Sequence, residues 1–430
     1  LEKSIRLFDQ ALNITPEHAE LHYRRARCLL KADHKDEART AFARARDHDA
    51  LRFRADTMLN SIIRKVTEAN ETRLIDTERH FADASPDGIP GENLFWEHVH
   101  FNFDGTYLLA RLFADNVVEA LQLQPANGAW PDMDTAMQEL GLTLLHRKNI
   151  AEKMQQRTAK APFSGQFGHL DRQRRLAQLA TSLEQEMFQF PLANAMANYE
   201  RLLKQHPDDW VLRQEFAVLL ISGGDLDAAI AQRREVNRIL PHYPNGFYEL
   251  GSLLNYAEKW KDAEQPLRKA IALRPDFATA INSLGISLSH TDATDEACAQ
   301  FARATELVPD YSEAFMNWGL VLNTMGNTDE AIAKFTSAIE HAPDSPAPHL
   351  HLGRLYVKRE QHPKAVHHYE EVARLTPDDP VAHLNLGLLY LKVDRLAESI
   401  GELERSLELN PSNNIARDHL EQVRKLAAKK

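Results

Sequence analysis

Seven prolines, Pro207, Pro241, Pro275, Pro309, Pro343, Pro377 and Pro411, stand 34 residues apart without a slip of register, so more than 200 of the 430 residues form one periodic array. A period of this size marks a solenoid, in which each unit buries its apolar face only by stacking on its neighbours. Two further ladders share the period. Gly251, Gly285, Gly319, Gly353 and Gly387 form one, with Ala217 in the same slot a repeat earlier. Ala195, Ala229, Ala263, Ala297, Ala331 and Ala365 form the other, closed by Ser399. Small residues let two helix backbones approach, and proline, with fixed φ and no N–H, ends a helix. Each unit therefore reads as a helical hairpin.

The unit from Ala314 to Pro343 shows the pattern. Trp318, Leu320, Val321 and Leu322 give a first helix its apolar side, and Gly326-Asn327 breaks it. Thr328, Asp329 and Glu330 supply polar groups for the start of a second helix, which carries Ala331, Ile332, Phe335, Ala338 and Ile339 at helical spacing. These ladders resemble the tetratricopeptide signature, and the fold expected is a mainly α solenoid of helix-turn-helix repeats with a small α/β fragment near the N-terminus. The expected division is one and a half units over 1–50, the α/β fragment over 51–121, and a helical linker over 122–175. About seven units follow over 176–411, then a polar capping helix over 412–430.

Composition agrees. The chain has 43% hydrophobic residues and only 17 glycines, and no apolar run approaches the ~20 residues of a membrane helix. A net charge of −11 argues against a nucleic-acid partner, which would want a basic face. No cofactor motif occurs. Cys28 and Cys298 lie in separate helical patterns and read as small buried hydrophobes. Ser4, Phe8, Ala11 and Pro16 match only the second half of a repeat, so the sequence reads as a piece of a longer protein. No compartment is assigned; for a soluble chain the cytoplasm is the default.

The middle segment departs from the repeat. Arg73-Leu74-Ile75-Asp76 reads as a short buried strand between helices at 55–69 and 77–84, and the loop from Ser85 to Glu92 leads to Leu94-Phe95-Trp96-Glu97-His98-Val99-His100. With the helix start at Asp104-Gly105-Thr106-Tyr107, this segment resembles the C-terminal end of SGNH (GDSL-type) hydrolases. The resemblance implies His100 as general base and Glu97 as its orienting carboxylate, although the family usually has Asp at the latter position. The family's Gly-Asp-Ser nucleophile block is missing from the chain. A base without a nucleophile cannot run acyl transfer, so the chain alone is expected to be inactive, with ester hydrolysis confined to a longer parent. Glu97, His98 and His100 as metal ligands form a weaker alternative. Phe163, Gly165, Phe167 and Gly168 lie in a loop that reads as linker or lid.

The repeats offer a surface rather than a reaction. In tetratricopeptide solenoids the first helices line the concave face, which would place Tyr248, Asn255, Asn282, Met316, Asn317, Asn323, Leu350, Arg354 and Asn385 in a groove for a protein or peptide ligand. Asn317 and Asn385 precede Trp-Gly and Leu-Gly, an arrangement similar to the repeats of O-linked N-acetylglucosamine transferase, where asparagines grip a peptide main chain. The basic clamp of chaperone-binding repeats is matched only by Arg354, Lys358 and Lys392. His367-His368 and Glu370 read as a solvated helix face.

Overall fold

This computed structural model describes residues 1–49, 55–96, 100–123, 130–161, 163–166, 168–189 and 192–428; among them are 23 α-helices and no β-strand. The helices divide into two units, Leu1–Pro191 and Leu192–Lys430.

The first unit opens with α1 (Glu2–Ile14), α2 (Ala19–Lys31) and α3 (Lys35–Asp47). Ile5, Ala26, Leu29, Ala38 and Ala41 form their common core, so the small residues at the repeat slots do let α2 and α3 pack closely. Next come α4 (Thr57–Ala69), α5 (Thr77–Asp83) and α6 (Phe103–Ala120). The expected strand at residues 73–75 does not form. Those residues have no regular secondary structure and pair with no strand among the described residues, and a strand without a ladder leaves its backbone groups to solvent. Asp76 serves α5 instead: its carboxylate accepts from the Arg79 N–H at 3.2 Å and from Arg64 at 2.8 and 3.1 Å.

The loop before α6 is organised by aromatics. The Phe81, Phe95 and Phe101 rings lie 4.9–6.1 Å apart, and Phe95 and Phe101 make an isolated antiparallel bridge. Gly105 is forced: a Cβ there would sit 2.1 Å from the Leu94 carbonyl oxygen. Met58, Leu59, Ile62, Ile63 and Val66 leave the apolar side of α4 exposed. The expected helical linker carries two helices, α7 (Met133–Glu139) and α8 (Leu144–Thr158), with Gly141 at φ +70° between them. The unit ends in α9 (His169–Gln189), tied to α8 by Gln173 Nε2 donating to Thr158 Oγ1 at 2.8 Å.

The second unit starts with α10 (Leu192–Gln205) and continues as antiparallel pairs. These are α11 (Trp210–Ser222) with α12 (Leu226–Ile239), α13 (Pro244–Tyr256) with α14 (Trp260–Leu273), and α15 (Ala278–Ser289) with α16 (Thr294–Leu307). Then follow α17 (Ser312–Thr324) with α18 (Thr328–His341), α19 (Pro346–Lys358) with α20 (His362–Leu375), and α21 (Pro380–Lys392) with α22 (Leu396–Leu409). A final helix, α23 (Asn414–Ala427), covers the last pair through Ala416, Leu420 and Val423.

The ladders locate the contacts. Ala229, Ala263, Ala297, Ala331, Ala365 and Ser399 are fully buried. Each ladder glycine faces a large residue of its partner helix: Gly251 meets Leu267, Gly285 meets Phe301, Gly319 meets Phe335, Gly353 meets Tyr369 and Gly387 meets Leu403. Phe301 and Phe335 are wholly buried, each stabilising the stack by about 2–3 kcal/mol. A fourth ladder runs through the turns. Gly224, Glu258, Asp292, Gly326, Glu360 and Asp394 all have φ between +55° and +84°, the left-handed residue that stops each first helix.

Candidate functional site

In the second unit each first helix packs against its own partner; in addition α13 touches α15, and α15 touches α17. The residues expected to line a groove lie in a row on the first helices α13, α15, α17, α19 and α21.

Two of the asparagines are tied into the fold. Asn255 is 9% exposed; its Nδ2 donates to the Ser283 carbonyl at 2.8 Å, and its Oδ1 accepts from the Ser287 hydroxyl at 2.7 Å. Both ends of the amide therefore join α13 to α15. Asn282 is 2% exposed, accepts from Asn317 Nδ2 at 3.2 Å, and lies 3.4 Å from the Glu313 carboxylate. The half-buried Asn317 keeps only this bond among its side-chain atoms, while Asn323 and Asn385 are half-buried with no side-chain hydrogen bond among the described residues.

The other groove residues are more varied. Tyr248 is half-buried against Phe277, with ring centroids 5.0 Å apart. Met316 and Leu350 are half-buried, their inner portions packed on adjoining core clusters. Arg354 is exposed and lies beside the Tyr369 hydroxyl. Lys358 and Lys392 are exposed as well. The row thus alternates half-open amides with apolar patches and one exposed guanidinium.

Of the helix face expected to be solvated, His367, His368 and Glu370, only the first is exposed. His367 is exposed, but His368 is half-buried, stacked on Tyr356 at 5.5 Å, with its Nδ1 3.1 Å from Nδ1 of the buried His349. One ring donates and the other accepts, so the pair suits two neutral imidazoles. Glu370 is likewise engaged, accepting from the Tyr390 hydroxyl at 2.6 Å. Burial, reinforced by His349 and His367 and opposed by Glu371, pushes His368 down to about 4. A histidine whose folded pKa is depressed stays neutral in the fold while the unfolded chain takes up the proton. Stability should therefore fall as pH drops from about 6.5 towards about 4. Thermal unfolding across that window, with His368→Phe flattening the dependence, checks this.

In the middle segment, His100 is half-buried and its carbonyl accepts from the Trp96 N–H at 2.8 Å. Glu97 and His98 lie outside the described residues, and the expected pairing of Glu97 with His100 lies outside them too. Among the described residues no group of three His, Cys, Asp or Glu side chains gathers as a metal site.

Profiles of the tetratricopeptide repeat match residues 1–62, 248–312, 322–367, 353–394 and 381–413. A search of curated proteins gives no significant match. Among solved structures the chain is similar to PilF of Pseudomonas aeruginosa, at 19% identity and TM-score 0.42, over 50% of this chain and 97% of that one. It is similar to a tetratricopeptide repeat protein of Parabacteroides merdae, at 14% identity and TM-score 0.41, over 54% and 92% of the two chains. YrrB, described as a tetratricopeptide protein with an unusual peptide-binding site, aligns at 19% identity and TM-score 0.30, over 52% and 97%. None of these matches, and no described strand, supports the hydrolase expectation for residues 51–121 or the α/β fragment that went with it.

Proposed function

We propose that this chain, which carries tetratricopeptide repeats, is an interaction scaffold whose row of first helices binds an extended peptide. The observation that carries the reading is the pairing of half-buried amides with half-covered apolar side chains at matching slots of the first helices. Asn317 and Asn385 occupy one slot, and Tyr248, Met316 and Leu350 the slot before it. An amide donates and accepts at once, so it reads a peptide main chain without asking for a sequence. The apolar slots take side chains of alternate residues, which an extended strand presents on one face. Asn255 and Asn282 support the row from beneath, holding α13 to α15 and α15 to α17, and do not contact the ligand.

Fluorescence anisotropy with a panel of extended peptides tests this. Asn317→Ala and Asn385→Ala should each weaken binding about three- to tenfold, the value of one net hydrogen bond. Scrambling a peptide should change affinity less than N-methylating its backbone. Unchanged affinity in both variants would remove the groove reading.

A further inference from the structure

A second recognition site lies on α12, α13 and α14, where three residues break the repeat pattern together. Asn237 stands in a slot filled elsewhere by Leu203, Ile271, Thr305, Ile339, Ala373 and Leu407. It is 7% exposed, and neither its Nδ2 nor its Oδ1 has a hydrogen-bond partner among the described residues. A buried amide left unsatisfied is costly, so a position that packing would give to an aliphatic residue calls for a reason. Gly246 makes room for it: a Cβ there would fall 2.6 Å from Asn237 Oδ1. Pro266 is buried inside α14 where the other repeats carry Gln232, Gln300, Lys334, His368 and Glu402. It removes a long side chain, and with it the N–H that would bond the Asp262 carbonyl.

These departures border one cleft of about 690 Å³. Its floor is Leu250 and Leu254, its walls Phe247 and Pro266, and Asn237 lines it with both amide atoms buried. At the rim stand the exposed Arg234 and Lys261, neither in an ion pair among the described residues, Arg238, held by Glu235 and Asp208, and the exposed Asp262 and Gln265, so the cations outnumber the single rim carboxylate. At 100° per residue, Phe247, Leu250 and Leu254 point about 120° away from Tyr248 and Asn255 on the same helix, so the cleft is not part of the groove.

We propose that this cleft binds the C-terminal residue of a partner peptide. An apolar side chain fills the floor, the last peptide amide pairs with the Asn237 side chain, and the chain-terminal carboxylate meets Arg234 and Lys261. An unpaired amide, unpaired cations and an apolar floor within one small cleft match those three groups of a single residue. The site stands independently of the groove.

The test uses the full chain and a fluorescein-labelled peptide of four alanines ending in leucine with a free carboxylate. The same peptide amidated at its C-terminus is the first comparison, and an amidated version with aspartate before the leucine is the second. The free-carboxylate peptide should bind best, with amidation, Asn237→Leu and Arg234→Glu each weakening it about tenfold or more. Asn237→Leu should still fold, since Leu203 and Leu407 occupy the same slot in other units, and its Tm should rise as the unsatisfied amide is removed. Equal binding of the free and amidated peptides would overturn the proposal. So would aspartate replacing the terminal carboxylate, or indifference to Asn237→Leu, which would leave the amide a partner of water alone.

Discussion

Arg233→Leu is expected to destabilise the second unit by about 3–5 kcal/mol, at the lower end because its partner is partly exposed. Arg233 occupies the slot that Leu267, Phe301, Phe335, Tyr369 and Leu403 fill with apolar side chains elsewhere. It is 7% exposed and its guanidinium is paired with Glu249 on α13. Leucine suits the slot sterically, so packing is not the source of the loss. The source is Glu249, left without its cation and facing the repulsion of Glu215. Burial already pushes the Glu249 carboxyl above its ordinary range, with Arg233 pulling against it. For a carboxylate with a raised folded pKa, stability is retained at low pH and lost as pH rises through the window above the unfolded value. The deficit of Arg233→Leu should accordingly shrink on mild acidification, and adding Glu249→Gln should restore most of it at neutral pH. Repeat arrays need not unfold in one step, so hydrogen exchange is the better readout: the loss should concentrate in α11, α12 and α13. A uniform loss, or none, would contradict the assignment.

Glycine-to-alanine substitution should change sign between two positions of the same array. At Gly319 a Cβ would meet Phe335 ring carbons at 2.7, 2.8 and 3.0 Å. Phe335 is fully buried in a filled core and has nowhere to retreat. Overpacking of this kind costs about 1–3 kcal/mol, more than the helix-propensity gain of up to about 1 kcal/mol. At Gly401 on α22 nothing lies within 4 Å of the added carbon, so only the propensity gain remains. Gly319→Ala should lower the thermal midpoint and Gly401→Ala raise it. Equal effects at both sites would mean that the glycine ladder does not set the helix spacing.

The hairpins were legible because their steric requirements are local: a proline after each second helix, a small residue at each crossing, and apolar residues at helical spacing. The left-handed turn residue was not, because Gly224 and Gly326 share that position with Glu258, Asp292, Glu360 and Asp394. The hairpin geometry imposes the conformation whatever the side chain. Periodicity put Asn255 and Asn282 on the right helices, but it carries no information about Ser283, Ser287 or Asn317 reaching across from a neighbouring helix. His368 was read as solvated for the same reason, its partner His349 standing on the other helix of the pair. The short apolar run Leu74-Ile75 looked like a strand because period and propensity alone cannot tell a strand from an extended connection. Only a partner strand could decide that, and none is present among the described residues.

Photo-crosslinking with extended peptides carrying a diazirine at successive positions, read out by mass spectrometry of the full chain, tests the central claim most directly. Crosslinks should fall on α13, α15, α17, α19 and α21, around Tyr248, Met316, Asn317, Leu350 and Asn385, and should advance from one first helix to the next as the diazirine moves along the peptide. Crosslinks confined to the second helices, or scattered without order along the array, would contradict it.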